Sequence, residues 1–258
     1  MKKYLKKIHW VLSSQFGINI RHLIYSLLGL PRYIRDFLNF KKQYQGKIEL
    51  MPCLHDWFEE GGSTKTEYFW QDLYVAQKIN LSAPLRHVDI GSRVDGFVAH
   101  VASFREIEVF DIREITSEIP NIVFKQADLM KPVDDYSEYC DSLSCLHALE
   151  HFGLGRYGDE INVQGYKQGL ANMTKLLKQG GTFYLSTPIG VEKVAFNAHR
   201  IFNPTEIQSI LNEIGFHLAD FAWFSEDKII IKSTNINEDF IKLSQQSYAL
   251  GIFTFVKQ

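Results

Sequence analysis

The sequence predicts an α/β protein built on a doubly wound, mostly parallel sheet, with a helical extension in front of it. Three observations carry that prediction. From residue 85 onward, short apolar runs alternate with stretches of helical spacing, the rhythm that lays helices over both faces of parallel strands. The first run, RHVDI at 86–90, leads straight into a turn, GSRVDGF at 91–97, punctuated by Gly91 and Gly96. Before all of this, residues 1–47 hold ten lysines and arginines against one acid, Asp36, so a segment of charge +9 precedes a remainder of −11.

Taken in order, a chain of 258 residues is long enough for one large core with a smaller attachment. The expected division is a basic helical extension over 1–50 and an α/β domain over 51–258. In the extension, Ile20, Leu23, Ile24, Leu27 and Leu28 fall at helical spacing, with Gly29 and Pro31 predicted to break the helix. Two readings stand for residues 1–47: a packing appendage, or a basic amphipathic segment that touches an anionic membrane or a partner enzyme. A second helix, TEYFWQDLYVAQKIN at 66–80, ends at the turn signal LSAP, and its Glu67, Tyr68, Phe69 and Trp70 read as helix packing, an aromatic stripe being more often core than a carbohydrate platform. Then come RHVDI as a strand, VDGFVAHVASF as a helix, and IEVFDI, NIVFKQADL and YCDSLSCL as strands. A long helix through LLKQGG, the strand TFYLSTP, the helix TEIQSILNEIGF and strands around KIIIKS and GIFTFV complete the pattern.

Composition narrows the classes of function. An acidic body under a basic head speaks against nucleic-acid binding. Cys53, Cys140 and Cys145 are odd in number and lack a C-x-x-C spacing, so they read as reduced thiols of a cytoplasmic protein. The apolar run IHWVL near the start falls short of the roughly 7–15 residues of a signal sequence. LIYSLLGL likewise falls short of the roughly 20 needed to span a bilayer. The expectation is a cytoplasmic protein, peripheral at the inner face of the membrane at most, through residues 1–47.

Ligands of such sheets sit at the carboxyl ends of the strands, so the residues that follow each strand are the ones to read. After the first strand, Asp89, Gly91, Arg93 and Gly96 make a turn that lets backbone amides approach a ligand. Arg93 stands where a dinucleotide fingerprint needs its second glycine, which argues against NAD. Asp111 ends the second strand and suits a pair of ribose hydroxyls. Asp128, after the third, suits the amino group of adenine. No Walker-type lysine follows a glycine loop. An adenosine carried without a pyrophosphate fits this set, and S-adenosyl-L-methionine is such a ligand.

The motifs DIG at 89–91, VFDI at 109–112, QADL at 126–129, ALEH at 148–151 and LLKQGGTFYLSTP at 176–188 resemble those of class I S-adenosylmethionine-dependent methyltransferases, in order and spacing. The resemblance covers residues 85–232 and implies a Rossmann-like fold. The longer strings HVDIGSRVDGFVAHV, DSLSCLHALEHFGLGRYGD and FNAHRIF resemble one branch, the bacterial and nematode domain of unknown function 268 family, beginning near PCLHDWF at 52–58. The departure is Arg93 in place of glycine, positioned to pair with the cofactor carboxylate. The resemblance further implies methyl transfer to a hydroxyl of a sugar or surface-glycan precursor.

The stretch CLHALEHFGLGRYGD at 145–159 carries the richest chemistry. His147 and His151 are four residues apart with Glu150 between them, which spells the H-x-x-E-H of an inverted zinc peptidase. Gly153 and Gly155 break any helix at once, however, so zinc hydrolysis stays an alternative, as does a non-catalytic cofactor-shaped binding module. No metal is required by these residues. His151 is either a structural histidine or a general base for an acceptor hydroxyl, with Asp159 and His199 as rival bases. His147 is expected to face the cofactor or the core. Arg156, Tyr157 and Arg200 are candidates for holding the acceptor.

Overall fold

The computed structural model describes residues 2–258. Met1 and the side chains of residues 2–7, among them Lys2, Lys3, Lys6 and Lys7 of the basic segment, lie outside the described residues. The chain divides into two compact units, Met1–Ser63 and Thr64–Gln258.

The first unit is two helices, α1 (Lys2–Phe16) and α2 (Ile20–Gln43), and a following segment that carries one 3-10 turn at Asp56–Phe58. Asn19 caps α2 by accepting from the amides of Arg21 and His22. Contrary to the sequence reading, neither Gly29 nor Pro31 ends this helix. Gly29 is buried where α2 meets the backbone of Leu54, and a Cβ there would stand 2.0 Å from the Leu54 carbonyl. Pro31 sits on the exposed side, where water can satisfy the Leu27 carbonyl that its missing N–H leaves free. Beside Gly29, Tyr25 stacks on Phe58 and Arg32 lies over Trp57. Ile20, Leu23, Ile24, Leu27, Leu28, Ile34 and Leu38 fall on the other side of the helix and are exposed.

The second unit opens with α3 (Glu67–Ser82), which ends in a left-handed residue, Ala83, at the predicted LSAP turn. Then follow β1 (His87–Ile90), a π turn over Val94–Val98 that feeds the single-turn helix α4 (Ala99–Ala102), β2 (Ile107–Asp111), β3 (Ile122–Gln126) and β4 (Cys140–Leu146). Helix α5 (Gly165–Leu176) passes directly into β5 (Leu177–Ile189), so LKQGG belongs to the strand. A hairpin of β6 (Lys193–Ala195) and β7 (His199–Ile201) precedes α6 (Pro204–Glu213), β8 (Phe216–Phe224), β9 (Ile230–Lys232), α7 (Ile236–Ser244) and β10 (Ala249–Lys257).

Eight strands form one sheet in the order β3-β2-β1-β4-β5-β10-β8-β9. The pairings from β3 through β5 are parallel, and β10 enters antiparallel between β5 and β8. The sheet is therefore mostly parallel, with an antiparallel flank. Alternation along each strand divides the apolar side chains between two layers. One joins Val88, Leu143, Phe183 and Phe253 to Leu170, Met173, Ile207 and Phe240 of the helices; the other joins Val109, Leu146 and Ile252 to Val75, Ile79 and Phe97. Each large side chain so buried contributes about 1.5–3 kcal/mol. Strand order reverses between β1 and β4, which opens a crevice at their carboxyl ends. Among the described residues no helix is long and apolar enough to cross a membrane.

Candidate functional site: a cleft at the carboxyl ends of β1, β2 and β4

A cleft opens at the strand-order reversal. Its lining includes Gly91 and Arg93, the strand-end acid Asp111 with Ile112 and Arg113, Asp128, and the turn residues His147, His151, Arg156, Tyr157 and Asp159. Nine of the thirteen residues expected from sequence thus converge on one cavity. Asp89, Gly96, His199 and Arg200 do not line it.

Asp89 stands behind the loop. It is fully buried, accepting from the Ser92 amide (3.0 Å), the Ser92 hydroxyl (2.7 Å) and the Ser144 hydroxyl (2.5 Å). Burial pushes its pKa up to about 7 despite those donors. Its work is to hold the turn after β1 in place. Gly91 at the head of that turn has a φ of 69°, and a Cβ there would come within 3.1 Å of the Ala148 Cβ, so glycine lets the turn lie close over the β4 end. Gly96 serves packing: a Cβ there would stand 2.7 Å from the Asp72 carboxylate of α3. Arg93 points out of the turn and pairs with Asp95 at 2.6 Å.

Asp111 is nearly buried and already engaged. Its Oδ1 accepts from the Arg113 amide (2.8 Å) and Nε (3.0 Å), and its Oδ2 from Arg113 Nη2 (2.6 Å). A carboxylate offers about four lone-pair sites, so two ribose hydroxyls can be accepted together only if the guanidinium of Arg113 yields. That guanidinium also covers the Tyr157 ring at 4.3 Å. The cleft's volume is about 170 Å³, below the roughly 300 Å³ of common ligand pockets, and the Arg113–Tyr157 pair is part of its lining. The residues fit the expected cofactor: Asp111, Asp128, the apolar Ile112, Ala127, Leu129 and Met130, and the Gly91–Arg93 segment line the same cleft, and they are the ones that would hold an adenosine and its tail. Asp128 accepts from the Met130 amide at 3.0 Å, which fixes the carboxylate.

The turn after β4 is where the histidines part. H-x-x-E-H does not lie on an α-helix; Leu149–His151 is one 3-10 turn, and His147 precedes it at a φ of 53°. His147 donates from Nδ1 to Glu150 at 2.7 Å, and its Nε2 lies 3.4 Å from Glu67, close enough for charge attraction but not aligned as a hydrogen bond. Burial opposes a charge on the imidazole, yet the two carboxylates win and raise its pKa to about 9. Tyr68 stacks on the ring at 4.4 Å, and Tyr248 donates to Glu67. Glu150 has its own pKa held below the usual carboxylate value against the opposing pull of burial, chiefly by His147.

His151 goes the other way. Its Nδ1 donates to the Ala198 carbonyl at 2.7 Å, which leaves Nε2 as the acceptor, 3.8 Å from Glu150. Burial lowers its pKa, and Arg156 nearby adds to the effect. Tyr157 meets its ring edge-on at 5.4 Å. Arg156 donates to the same Ala198 carbonyl at 2.8 Å. Asp159 uses both oxygens on its own loop, accepting from the amides of Gly155 and Tyr157, each at 3.1 Å. His199 packs on Tyr248 outside the cleft, its pKa lowered by burial. Arg200 is buried and donates to the Phe152 carbonyl at 2.5 Å. It holds the turn rather than an acceptor.

Sequence reasoning read Glu67 as helix packing and missed Arg113 and the Ala198 carbonyl. Arg113, two residues past the strand-end acid, was within reach as an Asp-x-Arg pair. The other two become neighbours only in the fold.

The sheet order and the crevice define the Rossmann-like fold of class I methyltransferases, and three solved structures share it. Burkholderia thailandensis 1,6-didemethyltoxoflavin-N1-methyltransferase, with 1,6-didemethyltoxoflavin and S-adenosylhomocysteine bound, is 14% identical over 74% of this chain and 79% of its own, with a TM-score of 0.50. The [4+2]-cyclase SpnF is 13% identical over 76% and 85%, with a TM-score of 0.51. The YcgJ protein of Bacillus subtilis is 12% identical over 73% and 98%, with a TM-score of 0.50. A cyclase among them illustrates that the fold alone does not fix the reaction. The chain belongs to the family described as Caenorhabditis protein of unknown function, DUF268, whose model matches residues 98–252. No curated protein matches it in sequence.

Proposed function

We propose that the protein is an S-adenosylmethionine-dependent O-methyltransferase in which His151 is the general base. The observation that carries this reading is the His151 imidazole on the cleft lining, its Nδ1 2.7 Å from the Ala198 carbonyl and its Nε2 3.8 Å from Glu150, with burial lowering its pKa. Bound in the cleft, the cofactor supplies an electrophilic methyl group. The chain then has two tasks, to hold an acceptor oxygen in line and to take its proton. Nε2 takes that proton, and Glu150 stabilises the imidazolium that results. Arg156 and Tyr157, at the cleft mouth, hold the acceptor, for which a sugar or surface-glycan precursor is the class suggested by the resemblance of the motifs. Titration calorimetry with S-adenosylhomocysteine tests the cofactor half of the proposal. One site per chain is expected; no binding by the folded protein would return the chain to the non-catalytic alternative. The zinc-hydrolase alternative is disfavoured, because His147 and His151 lie about a 3-10 turn and not on one helix face, and the carboxylates of Glu150 and Glu67 hold a proton on His147.

The same proposal assigns residues 1–47 to the cytoplasmic face of an anionic membrane, where a lipid-linked precursor would be met. Its support is the +9 charge of that segment and the exposed apolar side of α2. Vesicles containing acidic lipid should retain the full chain at low salt and release it at high salt. Equal retention by neutral vesicles, or none by either kind, removes this part.

A further inference from the structure

The first unit brings together a set of side chains that the sequence did not single out. We propose that His22, His55 and Glu59 bind one divalent transition-metal ion of the zinc class. One ligand atom from each lies within 4.8 Å of the others. Glu59 Oε1 is 3.3 Å from Nε2 of His22 and 3.7 Å from Nε2 of His55. A tetrahedral ion with bonds of about 2.0–2.1 Å sets its ligand atoms roughly 3.3–3.4 Å apart, so the carboxylate already stands near the spacing an ion requires. Asp56 Oδ1, 3.5 Å from Nε2 of His55, is in reach as a fourth donor or as an outer partner.

The ligands come from two segments that the backbone holds side by side. His22 is on the first turn of α2, its amide held by the Asn19 cap at 3.2 Å. His55 and Glu59 flank the 3-10 turn, whose closing bonds run from the Phe58 amide to the His55 carbonyl and from the Glu59 amide to the Asp56 carbonyl. The Gly29–Leu54 approach and the Tyr25–Phe58 and Arg32–Trp57 contacts lock the segments together next to the site. The donor set is two imidazoles and one or two carboxylates, which suits zinc, cobalt or nickel better than calcium or magnesium, whose sites are built of oxygen. The two rings stack with centroids 4.6 Å apart and planes 13° from parallel. To share an ion they must fan apart, a side-chain rotation open to rings that are one third to one half exposed. An ion there cross-links the start of α2 to the 55–59 turn. The competing reading is a simple histidine–carboxylate ion pair.

The two readings separate in the full-length protein, stripped of metal with a chelator and titrated with zinc by calorimetry and with cobalt by visible spectroscopy. The proposal expects one equivalent of either metal and intense ligand-field bands from a tetrahedral cobalt centre. His22→Ala and His55→Asn should each weaken binding by more than the ~10–100-fold that loss of an outer partner costs. Both variants should retain the wild-type circular dichroism and the wild-type response to S-adenosylhomocysteine, whatever that response is. His151→Ala should bind the metal unchanged, which separates this site from the H-x-x-E-H stretch. Absence of a bound equivalent in the wild-type chain overturns the proposal. So does wild-type affinity in both His22→Ala and His55→Asn, or a loss confined to His151→Ala.

Discussion

His147 and His151 stand four residues apart on the same turn, yet they carry opposite protonation. Both are buried, and burial alone drives either imidazole toward neutrality. His147, on the floor of the cleft, is held between Glu150 and Glu67 and stays charged to about pH 9. His151, on the wall, is given a carbonyl at Nδ1 and an arginine close by, and its pKa is lowered. The partners decide the charge, and the two histidines of H-x-x-E-H come apart into a cation and a candidate base.

The sharpest way to break this comparison is to remove one member at a time. His151→Ala should lower turnover on a hydroxyl acceptor by roughly 10²–10⁴-fold, with affinity for S-adenosylhomocysteine nearly unchanged. In the wild type, activity should fall as pH drops through the lowered pKa of His151, with its inflection below the ordinary histidine value of about 6.5; an inflection at or above that value contradicts the assignment. Asp111→Ala comes next, and should cost about 2–4 kcal/mol of cofactor affinity through charge-assisted hydrogen bonds left unmade. Normal binding by that variant would remove Asp111 from the site.

His147 acts on stability instead. Its folded pKa is raised, so its contribution is fully present below the unfolded value near 6.5 and is lost as pH rises through about 9. The loss should be on the order of 3 kcal/mol between those limits, visible as a fall in the denaturant midpoint. In Glu150→Gln that fall should move to lower pH; an unchanged profile would mean that Glu150 does not hold the proton. The smallest effect belongs to Arg113. Its half-exposed fork competes with ribose for Asp111, and exposed pairs contribute about 0.2–1 kcal/mol. Arg113→Ala should therefore tighten S-adenosylhomocysteine binding by up to about five-fold, and should do nothing in an Asp111→Ala background. Weaker binding by the single variant would assign Arg113 to holding the cofactor.

The β1-to-β4 half of the cleft was legible in the sequence because buried parallel strands read as apolar runs and the residues after each run line the cleft. Asp111, Asp128 and Gly91 follow from that rule. Asp89 and Arg200 were misassigned because the rule says nothing of depth: Asp89 is turned behind its loop onto Ser92 and Ser144, and Arg200 onto backbone carbonyls. The charge on His147 was hidden because Glu67 arrives from α3, far away in sequence, steadied by Tyr248 at a separation of 181 residues. Strand β8 was missed although FHLADFAWF alternates, with Phe216 and Leu218 buried and His217 and Ala219 exposed. Its place immediately after a helical run masked the change of period. The extension misled in the opposite direction, since Gly29 and Pro31 look like breakers until Leu54 is seen to require a residue without a Cβ.

The most direct test of this account is nitrogen-15 NMR titration of the imidazoles, with His147→Gln and His151→Gln used for assignment. His147 should remain doubly protonated from neutral pH up to an inflection near 9. His151 should be a neutral Nδ1–H tautomer at neutral pH and take up a proton only below about 6.5. A protonated His151 at pH 7, or an Nε2–H tautomer there, would contradict the base assignment on which the proposed function rests.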